Sequence, residues 1–276
     1  FMARLIDEAF DEFGLYMVHH NRWVMSATTN DAGRRLAGEM GRVLPPGTGW
    51  ILARRFAQRQ VRRLPYLFSV APPGFSVGLR AALTPPSPTG FPATHGILQE
   101  AWEAYLASVE AILVRRPFLL GERFTIADAG VYGQLGMNLA DPTAAADMRR
   151  RAPATFTWLG AIRDRRHVGS TGPLRLGEEL AGLLDIIART FVPLMQQNER
   201  AYVEARERGE HCFNERAFDQ RRALYNGALL GKPFRAVAKT FQVRVWRELR
   251  EAWRQLTPEA HAALAPLVSD EIGNAS

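Results

Sequence analysis

Residues 116–130 read RPFLLGERFTIADAG, and this stretch decides the fold. An apolar run ends at a glycine, a charged pair follows, and Thr125 stands three residues before Asp128. A threonine at a helix N-cap accepts a hydrogen bond from the backbone N–H three residues on, and an acid at that position reaches back to the N–H of the cap. The spacing therefore predicts a capping box at Thr125 and Asp128, with Phe124 just outside it and a helix behind it.

Helical periodicity continues on both sides of this stretch. Apolar residues at spacings of three and four predict helices over 3–25, 31–40, 50–64, 97–114, 126–138, 154–165 and 258–268. Residues 65–96 are rich in proline and glycine, which predicts an inserted loop. Almost nothing in the chain has strand periodicity, so we predict an all-α helical bundle.

The pattern changes from about Pro173 onward. A long helix is predicted over 178–208 with a kink at Pro193. Another is predicted over 234–256, although residues 234–239 begin with β-branched alternation. This part of the chain therefore reads as a helical extension.

The composition of the chain excludes several classes of protein and several kinds of partner. The 276 residues are 47% hydrophobic, and no apolar run approaches the roughly 18–20 residues that span a bilayer, so no membrane partner is expected. The single cysteine, Cys212, excludes a disulfide framework and fits a cytoplasmic protein. The net charge of +7 would suit nucleic acid, but the arginines form small scattered clusters without interleaved aromatics. Nucleic acid is therefore not an expected partner.

The capping box also has a specific context. The buried helix behind it is followed by Pro153 and by a helix that carries Trp158. This arrangement resembles the C-terminal helical domain of the cytosolic glutathione S-transferases, most specifically over residues 117–164. The first helix, over 3–25, resembles the first helix of that domain.

The resemblance implies a domain organisation. We predict a bundle of the glutathione S-transferase C-terminal type at residues 1–167, with the insertion at about 65–96, and a long helical extension packed on it at residues 168–276. The extension runs well past the usual end of the family. It looks like an elaboration of a subfamily, not a second catalytic domain.

In that family, the glutathione site lies mainly on an N-terminal thioredoxin-like domain, which supplies the catalytic Tyr, Ser or Cys. No segment here has its βαβ and ββα pattern, and the chain enters helical periodicity at once, with Met2 after Phe1. We therefore expect a missing N-terminal portion that carries the thioredoxin-like domain. No catalytic residue can be assigned.

The resemblance places the electrophile pocket along the first helix. Spacings of four, three and four put Glu12, Tyr16, His19 and Trp23 on one face, and His20 falls on the adjacent apolar stripe. A tyrosine hydroxyl or an imidazole there could polarise a bound substrate. The alternative is that Tyr16 and Trp23 are core aromatics and that His19 is a solvated surface residue.

No metal site is predicted. His19 and His20 diverge by about 100° on a helix, so they cannot chelate one ion together. His211, Cys212 and Glu215 lie in a segment without clear periodicity, and sequence proximity alone makes them neither a ligand set nor a nucleophile with its base.

Two functions stay open. The resemblance implies a glutathione S-transferase-like protein that conjugates or otherwise uses glutathione, as co-substrate, on a small hydrophobic electrophile. This chain would supply the helical pocket for the electrophile and the contact of a homodimer. The alternative is a non-catalytic transferase-like helical module for protein–protein interaction, which the proline-rich loop and the long extension would suit.

Overall fold

The first structural element is an unbroken helical run. The computed structural model describes residues 1–43, 45, 47–76 and 78–268. The run begins with α1 (Met2–Ala9) and continues through a π-helical turn (Phe10–Gly14), α2 (Leu15–His20) and a second π-helical turn (Asn21–Met25). A π turn is wider than an α turn, so it changes the faces on which later residues lie.

The all-α prediction is confirmed, since helices dominate the described chain. The helices that follow the first run are α3 (Ala32–Glu39), α4 (Gly49–Arg63), α5 (His95–Leu113), α6 (Ile126–Leu135), α7 (Pro142–Arg151), α8 (Pro153–Arg163), α9 (Ala181–Arg189), α10 (Phe191–Glu207), α11 (Glu215–Asp219), α12 (Thr240–Arg254) and α13 (Pro258–Leu264). The predicted insertion lies between α4 and α5, and its described part is irregular apart from a short 3-10 turn, Ala81–Leu83.

The single long helix predicted over 178–208 is wrong, because the chain forms two helices there. The break falls at Thr190, where φ is −126° and ψ is −72°. Pro193 lies in the first turn of α10, where a missing N–H leaves no helical hydrogen bond unmade. The proline therefore starts the second helix and does not kink a continuous one.

A β-hairpin interrupts the extension, and its second strand includes residues 234–237, which were predicted to begin a helix. Strands β1 (Leu224–Leu229) and β2 (Lys232–Val237) pair antiparallel, and α12 begins only at Thr240. The turn residues Leu230 and Gly231 have φ values of 50° and 71°. Two successive positive φ angles are the geometry of a tight type I′ hairpin turn. The β-branched alternation near residue 234 was the local signal for this hairpin.

One apolar core cluster joins the early and late parts of the chain. It takes side chains from the first helical run, from α5 to α8, from α9, α10, α12 and α13, and from the β-hairpin. Its largest fully buried members include Phe10, Phe13, Tyr105, Phe191 and Trp246. This core includes residues on both sides of residue 167. The division of the chain into a bundle and an extension at that point stays a prediction.

The capping box predicted at the start of α6 is present. The Thr125 N–H and Thr125 Oγ1 both donate to Asp128 Oδ2, each at 2.9 Å. Asp128 is fully buried, and its other oxygen, Oδ1, accepts from the Leu119 N–H at 2.8 Å. The same carboxylate therefore caps the helix and fixes the turn that precedes it.

Gly121 ties that turn to the extension. Its φ is 124°, a region that favours glycine, and a Cβ atom there would lie 2.5 Å from the Pro173 oxygen. The Glu122 N–H donates to the Pro173 oxygen at 3.1 Å, and the Arg175 N–H donates to the Leu120 oxygen at 2.8 Å. The glycine is needed because the later backbone passes so close to the turn.

Candidate functional site

A pocket of approximately 430 Å³ lies between the end of the first helical run, the start of α5 and the loop that follows α4. Its lining residues are His20, Val24, Met25, Pro72, Phe75, His95, Gly96 and Gln99. We call it the histidine pocket, because the imidazole rings of His20 and His95 both line it. Three separate parts of the sequence meet in it.

The two histidines lie side by side, with ring centroids 4.7 Å apart and ring planes at 67°. Both residues are more than nine-tenths buried. The Nδ1 atom of His20 lies 3.1 Å from Ser69 Oγ. His20 Nε2 and both ring nitrogens of His95 have no hydrogen-bond partner within the described part of the chain. Buried polar atoms in proteins normally have a partner, so these nitrogens are suited to a ligand.

Burial keeps both imidazoles neutral near pH 7. It lowers the pKa of His95 to about 4. Burial, followed by the charge of His95, lowers the pKa of His20 well below its ordinary value of 6.5. A neutral imidazole carries one N–H donor and one acceptor nitrogen. The pair can therefore donate to a ligand and accept from it without adding charge to the pocket.

The remaining walls are mostly apolar. Val24, Met25 and Pro72 line the pocket, and the ring of Phe75 stands edge-on to His95 with centroids 4.9 Å apart. Pockets with apolar walls and a few convergent polar atoms typically bind small molecules. The histidine pocket therefore suits a small hydrophobic molecule that carries one or two hydrogen-bonding atoms.

A second group of polar side chains lies further back along the first helical run. We call Glu12, Tyr16, Lys239 and Gln242 the lysine cluster. The Tyr16 hydroxyl accepts from Lys239 Nζ at 2.6 Å and from Gln242 Nε2 at 2.9 Å. Lys239 Nζ also donates to the Tyr66 backbone oxygen at 3.2 Å and lies 4.5 Å from the ring centre of Tyr16. The extension thus places the amine of Lys239, a half-buried residue, against the first helix.

The environment shifts the pKa values of this cluster strongly. Burial lowers the pKa of Lys239 to about 7, against the raising effect of the Glu12 charge. Burial raises the pKa of Glu12 to about 7, against a hydrogen bond from Gln242 and the charge of Lys239. Burial also raises the pKa of the Tyr16 hydroxyl. The pKa values of Glu12 and Lys239 both lie near 7, so each group changes its protonation state near neutral pH.

The five residues predicted for the electrophile pocket separate into different environments. His20 lines the histidine pocket, whereas Glu12 and Tyr16 belong to the lysine cluster. Trp23 is buried and packs on Phe56 in a small second core.

His19 is half-buried, and its Nδ1 lies 2.9 Å from the Leu15 oxygen. Tyr16 and Trp23 are thus buried, and His19 is neither buried nor fully exposed. The assignment of these residues to an electrophile pocket stays a prediction. The two π turns, Phe10–Gly14 and Asn21–Met25, displace residues from the faces that uniform α spacing predicts.

Sequence reasoning missed the residues that complete both groups. His95 stands at the start of α5, but it lies inside residues 65–96, which we predicted to be an inserted loop. Lys239 is one of only two lysines in the chain, which was the available signal, but it lies in a segment predicted to be helical. No three histidine, cysteine, aspartate or glutamate side chains converge as a metal site among the residues described.

Residues 79–161 match the family model described as "Glutathione S-transferase, C-terminal domain". This segment is similar to the C-terminal domain of glutathione S-transferases. The match confirms, over these residues, the resemblance that the capping box indicated. Searches of curated proteins and of solved structures found no match to the chain.

The matched segment covers less than half of the chain, from the loop before α5 into α8. It contains the capping box and His95, and it begins inside the stretch that we predicted to be an insertion. His20 and the lysine cluster lie outside it. The glutathione S-transferase-like segment therefore contributes one side of the histidine pocket, and the first helical run contributes another.

Proposed function

We propose that this glutathione S-transferase-like protein binds a small hydrophobic electrophile in the histidine pocket and uses glutathione on it. The observation that carries the proposal is the pair of buried, neutral imidazoles with unpartnered nitrogens inside an apolar pocket. We further propose that the protein is cytoplasmic, from the family resemblance and the single cysteine. From the resemblance alone we propose that it works as a homodimer.

The chemistry of the pocket narrows the class of electrophile. A neutral imidazole N–H can donate to an oxygen that is conjugated to the electrophilic carbon, as in an unsaturated carbonyl compound or a nitroarene. Addition to such a carbon moves negative charge onto that oxygen. A buried donor stabilises the developing charge better than water does, because it is already oriented. His20 and His95 would therefore bind the electrophile and also activate it.

Glutathione itself does not fit the histidine pocket. The tripeptide carries two carboxylates, and no lysine or arginine lines this pocket. Unpaired carboxylates beside neutral imidazoles and apolar walls would lose their hydration without compensation. We therefore assign the pocket to the electrophile alone and give glutathione no position on the described residues.

Isothermal titration calorimetry with chlorodinitrobenzene, in the absence of glutathione, tests the binding step. We expect saturable binding to the wild-type chain and about tenfold weaker binding to His95→Leu, which removes a hydrogen bond at similar side-chain volume. His211→Leu is the matched control, because His211 is exposed and lies outside the pocket. Equal affinity in all three proteins would contradict the assignment of the pocket.

A glutathione-affinity column and a conjugation assay then separate the two functions. Retention on immobilised glutathione and conjugate formation support the transferase-like function. Failure to bind glutathione at millimolar concentration, together with no binding of the electrophile, would favour the non-catalytic interaction module. The conjugation assay uses the longest chain that the coding sequence supplies.

A further inference from the structure

The positive charge of this protein is concentrated in one segment. Residues 40–99 contain seven arginines and no aspartate or glutamate. The whole chain has 35 basic and 28 acidic residues, an excess of seven. The rest of the chain is therefore electrically balanced, and this segment accounts for the entire formal net charge.

Helix α4 carries four of these seven arginines on one surface. Arg54, Arg55, Arg59 and Arg62 are all exposed, and their spacing puts them on one face of the helix. None of the four forms an ion pair with the part of the chain that the structure describes. Arg63 differs, because its Nε donates to Glu215 at 2.8 Å. The small clusters that looked scattered in the sequence form a continuous basic face, which we call the arginine face.

An exposed apolar tip continues the arginine face at the N-terminal end of α4. Val43 is 75% exposed and Trp50 is 67% exposed, and Met40 and Ile51 are exposed beside them. This tip connects α3 to α4, which pack mainly on each other and over the second core. The hairpin therefore presents an aromatic and aliphatic end together with a row of cations.

A groove beside α4 adds a place for an anionic group. It has a volume of approximately 480 Å³ and lies between α4 and residues 78–83. Arg54 and Arg80 both line it, together with Asn30 and Gln58. Guanidinium groups bind phosphate oxygens in a bidentate manner, so the groove suits a phosphate-bearing head group.

We propose that the α3–α4 hairpin docks on the surface of an anionic lipid bilayer. The arginine face would contact lipid phosphates, and the apolar tip would enter the boundary between head groups and acyl chains. Basic side chains on one face and Trp with aliphatic residues beside them are the features of helices that lie in this boundary. No helix in the described ranges is long and apolar enough to cross a bilayer. The proposed contact is with the bilayer surface, and the sequence analysis did not predict it.

A bilayer fits this surface better than nucleic acid does. A phosphate backbone would pair with the arginines but would leave Val43, Met40 and Ile51 in water. Binding of single strands also relies on several aromatic side chains for stacking, whereas Trp50 is the exposed aromatic of this hairpin. The proposal does not depend on the histidine pocket or on glutathione.

Sedimentation with lipid vesicles tests the proposal. We expect the full chain to bind mixed phosphatidylcholine–phosphatidylglycerol vesicles and not vesicles of pure phosphatidylcholine. Replacing Arg54, Arg55, Arg59 and Arg62 by glutamine should lower the partition coefficient about fivefold per arginine, and more than about a hundredfold together. Trp50→Ser should lower it about tenfold without changing the charge.

The matched control replaces four exposed arginines that lie outside residues 40–99, namely Arg115, Arg166, Arg200 and Arg216, by glutamine. It has the same net charge as the first variant and should bind nearly as well as wild type. Circular dichroism checks that each variant folds.

Three results would overturn the proposal: no binding to the anionic vesicles, equal losses in both arginine variants, or an unchanged partition coefficient in Trp50→Ser. Tighter binding to single-stranded RNA than to the vesicles, with the arginine face required, would assign the surface to nucleic acid instead.

Discussion

The buried amine of Lys239 makes the stability of this protein depend on pH in a calculable way. Lys239→Met replaces the amine with an apolar side chain of similar length. The folded protein has a Lys239 pKa of about 7, against 10.5 for the free side chain. Between these values the unfolded chain holds a proton that the folded chain does not.

The sign follows from that difference in bound protons. Stability rises with pH wherever the unfolded state binds more protons, by about 1.4 kcal/mol per pH unit for one proton. Lys239 alone should therefore raise the free energy of unfolding by about 2–3 kcal/mol between roughly pH 7.5 and 9.5. Lys239→Met should lose this rise, and the pKa of Glu12 should increase further because the Lys239 charge no longer lowers it.

Urea unfolding followed by circular dichroism at a series of pH values measures the effect. Lys232→Met is the matched control, because Lys232 is the other lysine of the chain and its exposed amine pairs with Glu100 at the surface. It should keep the wild-type slope. If Lys239→Met also keeps that slope, the folded protein holds Lys239 in its charged form as the partner of Glu12, and the reasoning is refuted.

Other variants test the remaining parts of the structure by urea unfolding. Glu12→Gln should remove a stabilisation that is complete below about pH 4.5 and lost as the pH rises through about 7, because the folded state keeps Glu12 protonated; an unchanged profile would contradict this. Thr125→Ala should lower the free energy of unfolding by about 0.5–2 kcal/mol and leave affinity in the histidine pocket intact, so a large affinity loss at unchanged stability would argue against a purely structural cap. Gly121→Ala should destabilise by more than about 1 kcal/mol, because its Cβ meets the Pro173 oxygen, whereas the exposed helical Gly133→Ala should stabilise by about 0.5–1 kcal/mol; equal effects would show that the close approach does not exist.

Local signals in the sequence predicted much of the fold. The capping box at Thr125 and Asp128 and the periodicity of α5, α6 and α8 depend on contacts within a few residues, so a single sequence contains them. The family resemblance rested on the same local signals, and the match over residues 79–161 confirms it.

The candidate site was less predictable, because it depends on contacts between distant residues. His20 was predicted as a pocket residue, but its partner His95 is 75 residues further along the chain. The lysine cluster joins Tyr16 to Lys239 across most of the sequence. The π turns in the first helical run cannot be seen in uniform spacing, so Tyr16 and Trp23 were placed together although the structure separates them.

The grouping of the surface charges was also not predictable from the sequence. Along the chain, the arginines of residues 54–63 form small separate clusters, Arg54-Arg55 and Arg62-Arg63. The winding of α4 brings four of them onto one exposed face beside Trp50. Which residues share a surface is a property of the helix and its packing, not of the sequence order alone.

The most direct test of the account is an NMR titration of the imidazole nitrogens with chlorodinitrobenzene at neutral pH. The chain has six histidines, so the signals can be assigned one by one. We predict that His20 and His95 are neutral before addition and that their nitrogen shifts alone change saturably with the ligand. Unchanged shifts of His20 and His95 at saturation, or equal changes at His211 and His261, would contradict the assignment of the histidine pocket as the electrophile site.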